Sequence, residues 1–122
     1  MAYSEVLLNE FFNPENVGVI KGAHGVGKVV GEGAEIMKIY VSVENDTITE
    51  ATYQTFGCVG AIACCSMATK MLIGKTIEDA ERLVSAKTIS NELGGLDART
   101  KKYAQMAEKT VKATLINVQK KA

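Results

Sequence analysis

No tryptophan occurs in this chain, proline and histidine occur once each, and neither sign of charge prevails, with fourteen lysines and arginines against fourteen aspartates and glutamates. A zero net charge argues against a strong electrostatic binder of nucleic acid, which needs a basic surplus or stripe. One weak basic cluster exists near the C-terminus (Arg99, Lys101, Lys102, Lys109, Lys112) and reads as a solvated helix face. No apolar run approaches the roughly 18 residues of a membrane span. No charged start followed by an apolar run and a small-residue cleavage site opens the chain. A cytoplasmic protein is therefore expected, without membrane or nucleic-acid partners. Cysteine is also sparse: there are three. Cytosolic thiols stay reduced, so an odd count points to chemistry or packing, not to a disulfide framework.

What is present suits one domain over residues 1–122, with 47% apolar and 23% charged residues. A chain of this size buries a real core without covalent staples. Residues 4–12 read as a short helix capped by Ser4, with Val6, Leu7 and Phe11 on one face, and Asn13-Pro14 ends it. The glycine-rich stretch 18–33 reads as loops around a short edge strand at 27–31. Along 35–43, Met37, Ile39, Val41 and Val43 alternate onto one face of a strand. Glu44-Asn45-Asp46 turns the chain into a returning strand over 47–56.

The pattern then becomes helical from Gly60 to Ile73, closed by Gly74. Thr76 and Asp79 resemble a capping box for a helix over 77–84. Another short helix lies within 85–93, and Asp97 caps a last helix to about Gln119. On that helix Tyr103, Ala107, Val111, Thr114, Leu115 and Val118 form a core-facing stripe. The fold class is α+β, a three-stranded antiparallel sheet packed on one face by helices.

All three cysteines fall within 56–72, FGCVGAIACCSMATKML. Cys58 sits between a strand end and a helix start. The positive end of the helix dipole can lower its pKa, making it a candidate reactive or metal-binding thiol; the bland reading is a partly buried, inert residue. Cys64 and Cys65 lie within the helix, about 100° apart, so a regular helix cannot aim both at one ion. Cys65 shares an apolar stripe with Ile62, Thr69 and Leu72, and Cys64 shares one with Ala61, Ala68 and Met71. Packing is expected for both, with an approach of either to Cys58 left open. His24, in GAHGVG, is more often solvated than ligating in such a loop. That loop resembles phosphate-binding loops, but Val29 stands where Ser or Thr would follow Lys28, so nucleotide binding is not expected.

Several stretches, AYSEVLLNEFFNPENVG, EIMKIYV and TYQTFGCVGAIACCSMATKMLIGKTIEDA, together with the register of the last helix, resemble the IscU/NifU-type iron–sulfur cluster assembly scaffolds nearly end to end. FFNPENVG and FGC-x-x-AIA-x-x-S-x-A-T are the most specific pieces. The resemblance implies the fold above and a non-enzymatic role, with no catalytic residue. It also implies a site at one tip of the domain where three cysteines and a nearby aspartate or histidine converge. Thiolates suit iron, zinc and sulfide, and a two-iron cluster normally takes four ligands.

Compared with that pattern, Gly33 replaces the first cysteine and Glu35 the aspartate; Cys58 is retained, and Lys102-Tyr103 replaces a His-Cys pair. An ammonium offers no lone pair, and a phenol is a weak ligand here. Cys58 is thus the expected cluster or sulfur ligand, and Cys58 with Glu35, with His24 as a further candidate ligand, would hold an iron or zinc ion under-coordinated. The family's leucine-proline-proline-valine-lysine motif, which engages a dedicated chaperone, is replaced by Leu96-Asp97-Ala98-Arg99-Thr100. A cysteine desulfurase is the expected partner, the specialised chaperone is not, and homo-oligomerisation stays open. The leading expectation is a scaffold that binds iron, a cluster or sulfur through Cys58. Two alternatives are a cluster-free adaptor of the desulfurase and a sulfur acceptor carrying a persulfide on Cys58.

Overall fold

The computed structural model describes residues 3–121. In chain order these form α1 (Glu5–Phe12), β1 (Gly25–Val30), β2 (Ile36–Glu44), β3 (Thr47–Phe56), α2 (Val59–Leu72), α3 (Ile77–Leu83), α4 (Ala86–Glu92) and α5 (Ala98–Lys121). The sheet is antiparallel throughout, in the order β1-β2-β3. Asn45 and Asp46 both adopt positive φ (51° and 65°), the backbone that lets a two-residue turn join β2 to β3. Met37, Ile39 and Val41 are fully buried on one face, as their alternation predicts, whereas Val43 is only half-buried, beyond an irregularity in the β2–β3 register at Ser42/Val43. No helix among the described residues is long and apolar enough to cross a membrane.

Helix α2 is buried along most of its length, packed against α1, α5 and β3. A helix enclosed on several sides needs apolar or small residues all round, which explains its run of Ala, Cys, Ser and Gly. Helix α5 lies against β1 at backbone distance. A Cβ on Gly27 would fall 2.4 Å from the Thr114 nitrogen, and one on Gly25 would fall 2.3 Å from the Val118 Cγ2. Side chains at these strand positions would push the helix away. The expected stripe on α5 is buried from Tyr103 to Leu115, with Val118 at its margin.

Caps close most helices as the sequence predicts. Ser4 accepts from the Leu7 N–H (3.0 Å), and Asp97 Oδ1 from the Thr100 N–H (2.8 Å). Thr76 accepts from the Asp79 N–H (3.1 Å). The reciprocal capping box occurs instead between Ser85 and Thr88.

The buried face of α1 is not the expected one. Leu7 is fully buried, but Val6 is 45% exposed and the second buried residue is Glu10. Its carboxylate accepts from the Ser66 hydroxyl (2.7 Å) and pairs with Lys70 Nζ (2.8 Å), both on α2. A search for apolar periodicity passes over a buried carboxylate, so the stripe was drawn one residue away. Removing Glu10 leaves the buried Ser66 hydroxyl without its acceptor. Glu10→Ala should lower the unfolding free energy by roughly 1–3 kcal/mol, and Lys70→Ala by less, because Lys70 is 35% exposed. Urea denaturation with an unchanged m-value checks this; equal effects of the two changes would refute it.

Candidate functional site

The site is built where β3 ends and α2 begins. Gly57 breaks the strand, and Cys58 follows as the N-cap of α2 with extended backbone (φ −95°, ψ −171°). Its thiol is exposed, while Cys64 and Cys65 have no exposed surface and sit in the core. Packing is therefore the role of the helix pair, and neither reaches Cys58's open surface.

Two glycines shape the approach to Cys58. A Cβ on Gly57 would lie 2.8 Å from the Ala61 Cβ. One on Gly60 would lie 2.7 Å from Thr100 Cγ2 and 2.9 Å from Tyr103 Cδ2. With hydrogen at Gly60, the first turns of α2 and α5 touch, and Tyr103 comes to lie beside Cys58. Tyr103 is buried, at 8% exposure.

The third contributor is the loop between β1 and β2. Glu35 Oε1 accepts from the Gly33 N–H (2.9 Å). Glu35 Oε2 accepts from the Tyr103 hydroxyl (3.3 Å) and lies 3.7 Å from Lys102 Nζ. The structure thus brings Cys58, Glu35, Gly33, Lys102 and Tyr103 to one tip. His24 is elsewhere, near the opposite end of β2. Its Nδ1 accepts from the Val43 N–H (3.0 Å), and its own N–H donates to the Val41 carbonyl (2.9 Å). The expectation of His24 as a ligand at the tip is corrected: its backbone and ring hydrogen bonds to β2 hold it at the far end. The basic residues of α5 are exposed, as expected of a solvated face, although Lys102 lies 3.7 Å from Glu35 and Lys112 pairs with Glu108 (2.9 Å).

The three thiols differ in acidity for physical reasons. Partial burial works to raise the Cys58 pKa, but the Tyr103 hydroxyl and the N–H groups of Ala61 and Gly60 outweigh it, leaving the thiol more acidic than an ordinary cysteine. Burial, with Cys58's charge nearby, pushes Cys64 up to about 12. Cys65 is raised further, again mainly by burial. The Tyr103 pKa is pushed up, first by the Cys58 thiol beside it and then by burial and the Glu35 charge. Glu35 is kept ionised, chiefly by its own backbone N–H and then, against partial burial, by Gly33, Lys102 and Tyr103.

Tyr103 is the functional residue that sequence reasoning passed over. Judged as a ligand it is weak; its hydroxyl donates to Glu35 and stands beside Cys58, where it favours the thiolate. The signal for this role was the pairing of Gly60 with an aromatic residue near the start of the last helix, which only the folded chain reveals. Among the described residues no group of three or more His, Cys, Asp or Glu side chains converges as a metal site. One thiolate and one carboxylate, the latter facing an ammonium, do not supply the four ligands a two-iron cluster normally takes.

Comparison with known proteins agrees with this architecture. Residues 2–122 match the NifU-like N-terminal domain family. Over 116 residues the chain is 37% identical to iron-sulfur cluster assembly scaffold protein IscU 1 of Archaeoglobus fulgidus, covering 94% of this chain and 75% of that protein. It is 45% identical over 97 residues to the IscU scaffold protein of Aquifex aeolicus, covering 77% of this chain and 61% of that one. The crystal structure of a nitrogen-fixing NifU-like protein (N-terminal) from Brucella abortus superposes with a TM-score of 0.71 at 19% identity, over 98% of this chain and 96% of that one. That likeness shows the shared fold.

The hydroxyl of Tyr103 favours the Cys58 thiolate, so its loss should make the thiol less acidic. The pH profile of Cys58 alkylation should rise at lower pH than that of a free cysteine, and Tyr103→Phe should move the profile upward. An unmoved profile would show that the hydroxyl does not act on the sulfur.

Proposed function

This chain belongs to the NifU-like N-terminal domain family, and we propose that it serves iron–sulfur cluster assembly as a scaffold-like, non-enzymatic protein whose Cys58 receives sulfur. The observation that carries this reading is the contrast among the thiols. Cys58 alone is exposed, and it lies at a helix N-terminus beside a phenolic donor. The expected partner is a protein that presents a persulfide, as a cysteine desulfurase does. The Cys58 thiolate attacks the outer sulfur of the donor's persulfide. A bond forms between Cys58 Sγ and that sulfur, the donor's sulfur–sulfur bond breaks, and the electron pair leaves on the donor thiolate. No general base is needed, because a thiolate attacks a persulfide directly.

The donor set supports uptake of sulfur better than retention of a cluster. Cys58 and Glu35 were the expected metal ligands, and they share one tip. The Glu35 carboxylate is already engaged by Gly33, Tyr103 and Lys102. An iron or zinc ion there would gain few ligands and face an ammonium.

Incubation with a desulfurase and cysteine, followed by alkylation and mass spectrometry, should place the added sulfur on Cys58. Cys58→Ser should abolish uptake and leave the fold intact. Cys65→Ser should leave uptake per folded molecule unchanged, at a cost of up to roughly 1–3 kcal/mol of stability where the buried hydroxyl finds no partner. Faster labelling of Cys64 or Cys65 than of Cys58 would overturn the assignment. Stable association with a desulfurase without sulfur uptake would favour the cluster-free adaptor instead.

The segment expected to lack the chaperone motif begins α5 as a capped helix, with Thr100 N–H donating to Asp97. A peptide spanning 94–104 should leave the ATPase rate of the family's specialised chaperone unchanged; stimulation would refute this.

A further inference from the structure

A groove lined by Glu35 and Tyr103 opens between the β1–β2 loop and α5, with a volume of about 310 Å³. This is at the small end of cavities that enclose small molecules, roughly 300–1,000 Å³. Its floor is apolar, from Val29 and Met106. Its walls carry opposite charges. The loop contributes Glu32 and Glu35, and α5 contributes Lys102 and Lys109, seven residues apart and so two turns along one helix face. Glu35 and Lys102 face each other at 3.7 Å. Glu32 and Lys109 have no ion-pair partner among the described residues. A ligand with a single charge would satisfy one wall and leave the other uncompensated. A zwitterion offers an ammonium to Glu32 and a carboxylate to Lys109. Gly31 keeps the loop close, because a Cβ there would lie 2.6 Å from Glu35 Oε1 and 3.3 Å from the Met106 sulfur.

Cys58 does not line the groove but adjoins it, since a Cβ on the preceding Gly57 would lie 3.9 Å from Glu35, which does. Tyr103 also lines the groove, reaches Glu35 and lies beside Cys58. The geometry points to this groove as the binding site of a small amino-acid thiol, of the size and charge of cysteine, that removes sulfur from Cys58. This rests on the reading of Cys58 as the sulfur-receiving residue. The step balances without an added oxidant or reductant. The ligand's thiolate attacks the outer sulfur of the Cys58 persulfide, forming the ligand's own persulfide. The bond from Cys58 Sγ to that sulfur breaks, and its electron pair stays on Cys58 as thiolate. Tyr103 O–H and the first-turn N–H groups of α2 receive that developing charge.

The test uses protein loaded with sulfur chemically, by polysulfide, so that no desulfurase is involved. Loss of the added sulfur is followed by mass spectrometry against L-cysteine or mercaptoethanol, a thiol without charges. The rate should saturate with L-cysteine and rise linearly with mercaptoethanol. Glu32→Lys and Lys109→Glu should each raise the half-saturating cysteine concentration about three- to fivefold, the effect of one exposed charge contact. The double exchange should restore it, and mercaptoethanol rates should stay unchanged in all three. A linear, variant-insensitive response to L-cysteine would overturn the proposal.

If polysulfide leaves no sulfur on Cys58, the reading of Cys58 fails, and the groove is judged on the unloaded protein. There, saturable NMR shifts at residues 29–35 and 102–109 with L-cysteine, absent with mercaptoethanol, would support the site. Absence of such shifts would overturn it.

Discussion

Helix α5 must lie within backbone distance of β1 and within van der Waals distance of the first turn of α2, and the site follows from that double contact. Gly25 and Gly27 permit the first approach, since any side chain there would meet Thr114 or Val118. Gly60 permits the second, where a Cβ would meet Thr100 and Tyr103. Moving α5 outward by the width of a methyl group would take Tyr103 from Cys58 and Lys102 from Glu35 together. The glycines therefore set the spacing of a polar site although they contribute no functional atom to it.

Environment separates three chemically identical thiols. Cys64 and Cys65 lie inside a helix enclosed on several sides, where ionisation would place a charge in an apolar core, and burial holds both protonated. Cys58 stands one residue before that helix, where unpaired N–H groups and the Tyr103 hydroxyl offset the partial loss of water. A shift of a few residues along the chain thus changes a buried packing group into an exposed, more acidic thiol.

The tip also shows how a shared scaffold can hold a different set of side chains. The chain matches its family over nearly its whole length, while the atoms at the tip are one sulfur, one carboxylate, one phenol and one ammonium. The phenol donates to the carboxylate and lies beside the sulfur, and the ammonium faces the carboxylate. That set offers a cation fewer ligands than the four a two-iron cluster normally takes. Fold likeness alone does not decide that difference; the donor and acceptor inventory does.

Periodicity in the sequence was enough for the sheet, its register-setting turn, and helices α2 to α5, because apolar alternation and 3.6-residue stripes record which side of an element faces the core. The same logic placed Cys64 and Cys65 in packing positions and singled out Cys58 at the junction. It misdrew the buried face of α1, because the residue docked there is the carboxylate of Glu10, held by Ser66 and Lys70 from 56 and 60 residues away. It kept His24 as a candidate for the tip, although the strand pairing that holds it at the other end connects residues far apart in sequence. The sequence by itself determined which elements form and which thiol lies at a helix start. Only the tertiary structure decided that Tyr103 lies beside that thiol and that Lys102 faces Glu35. Those contacts join elements about 45 and 67 residues apart, and their distances depend on how closely glycines let backbones approach, which no local pattern encodes.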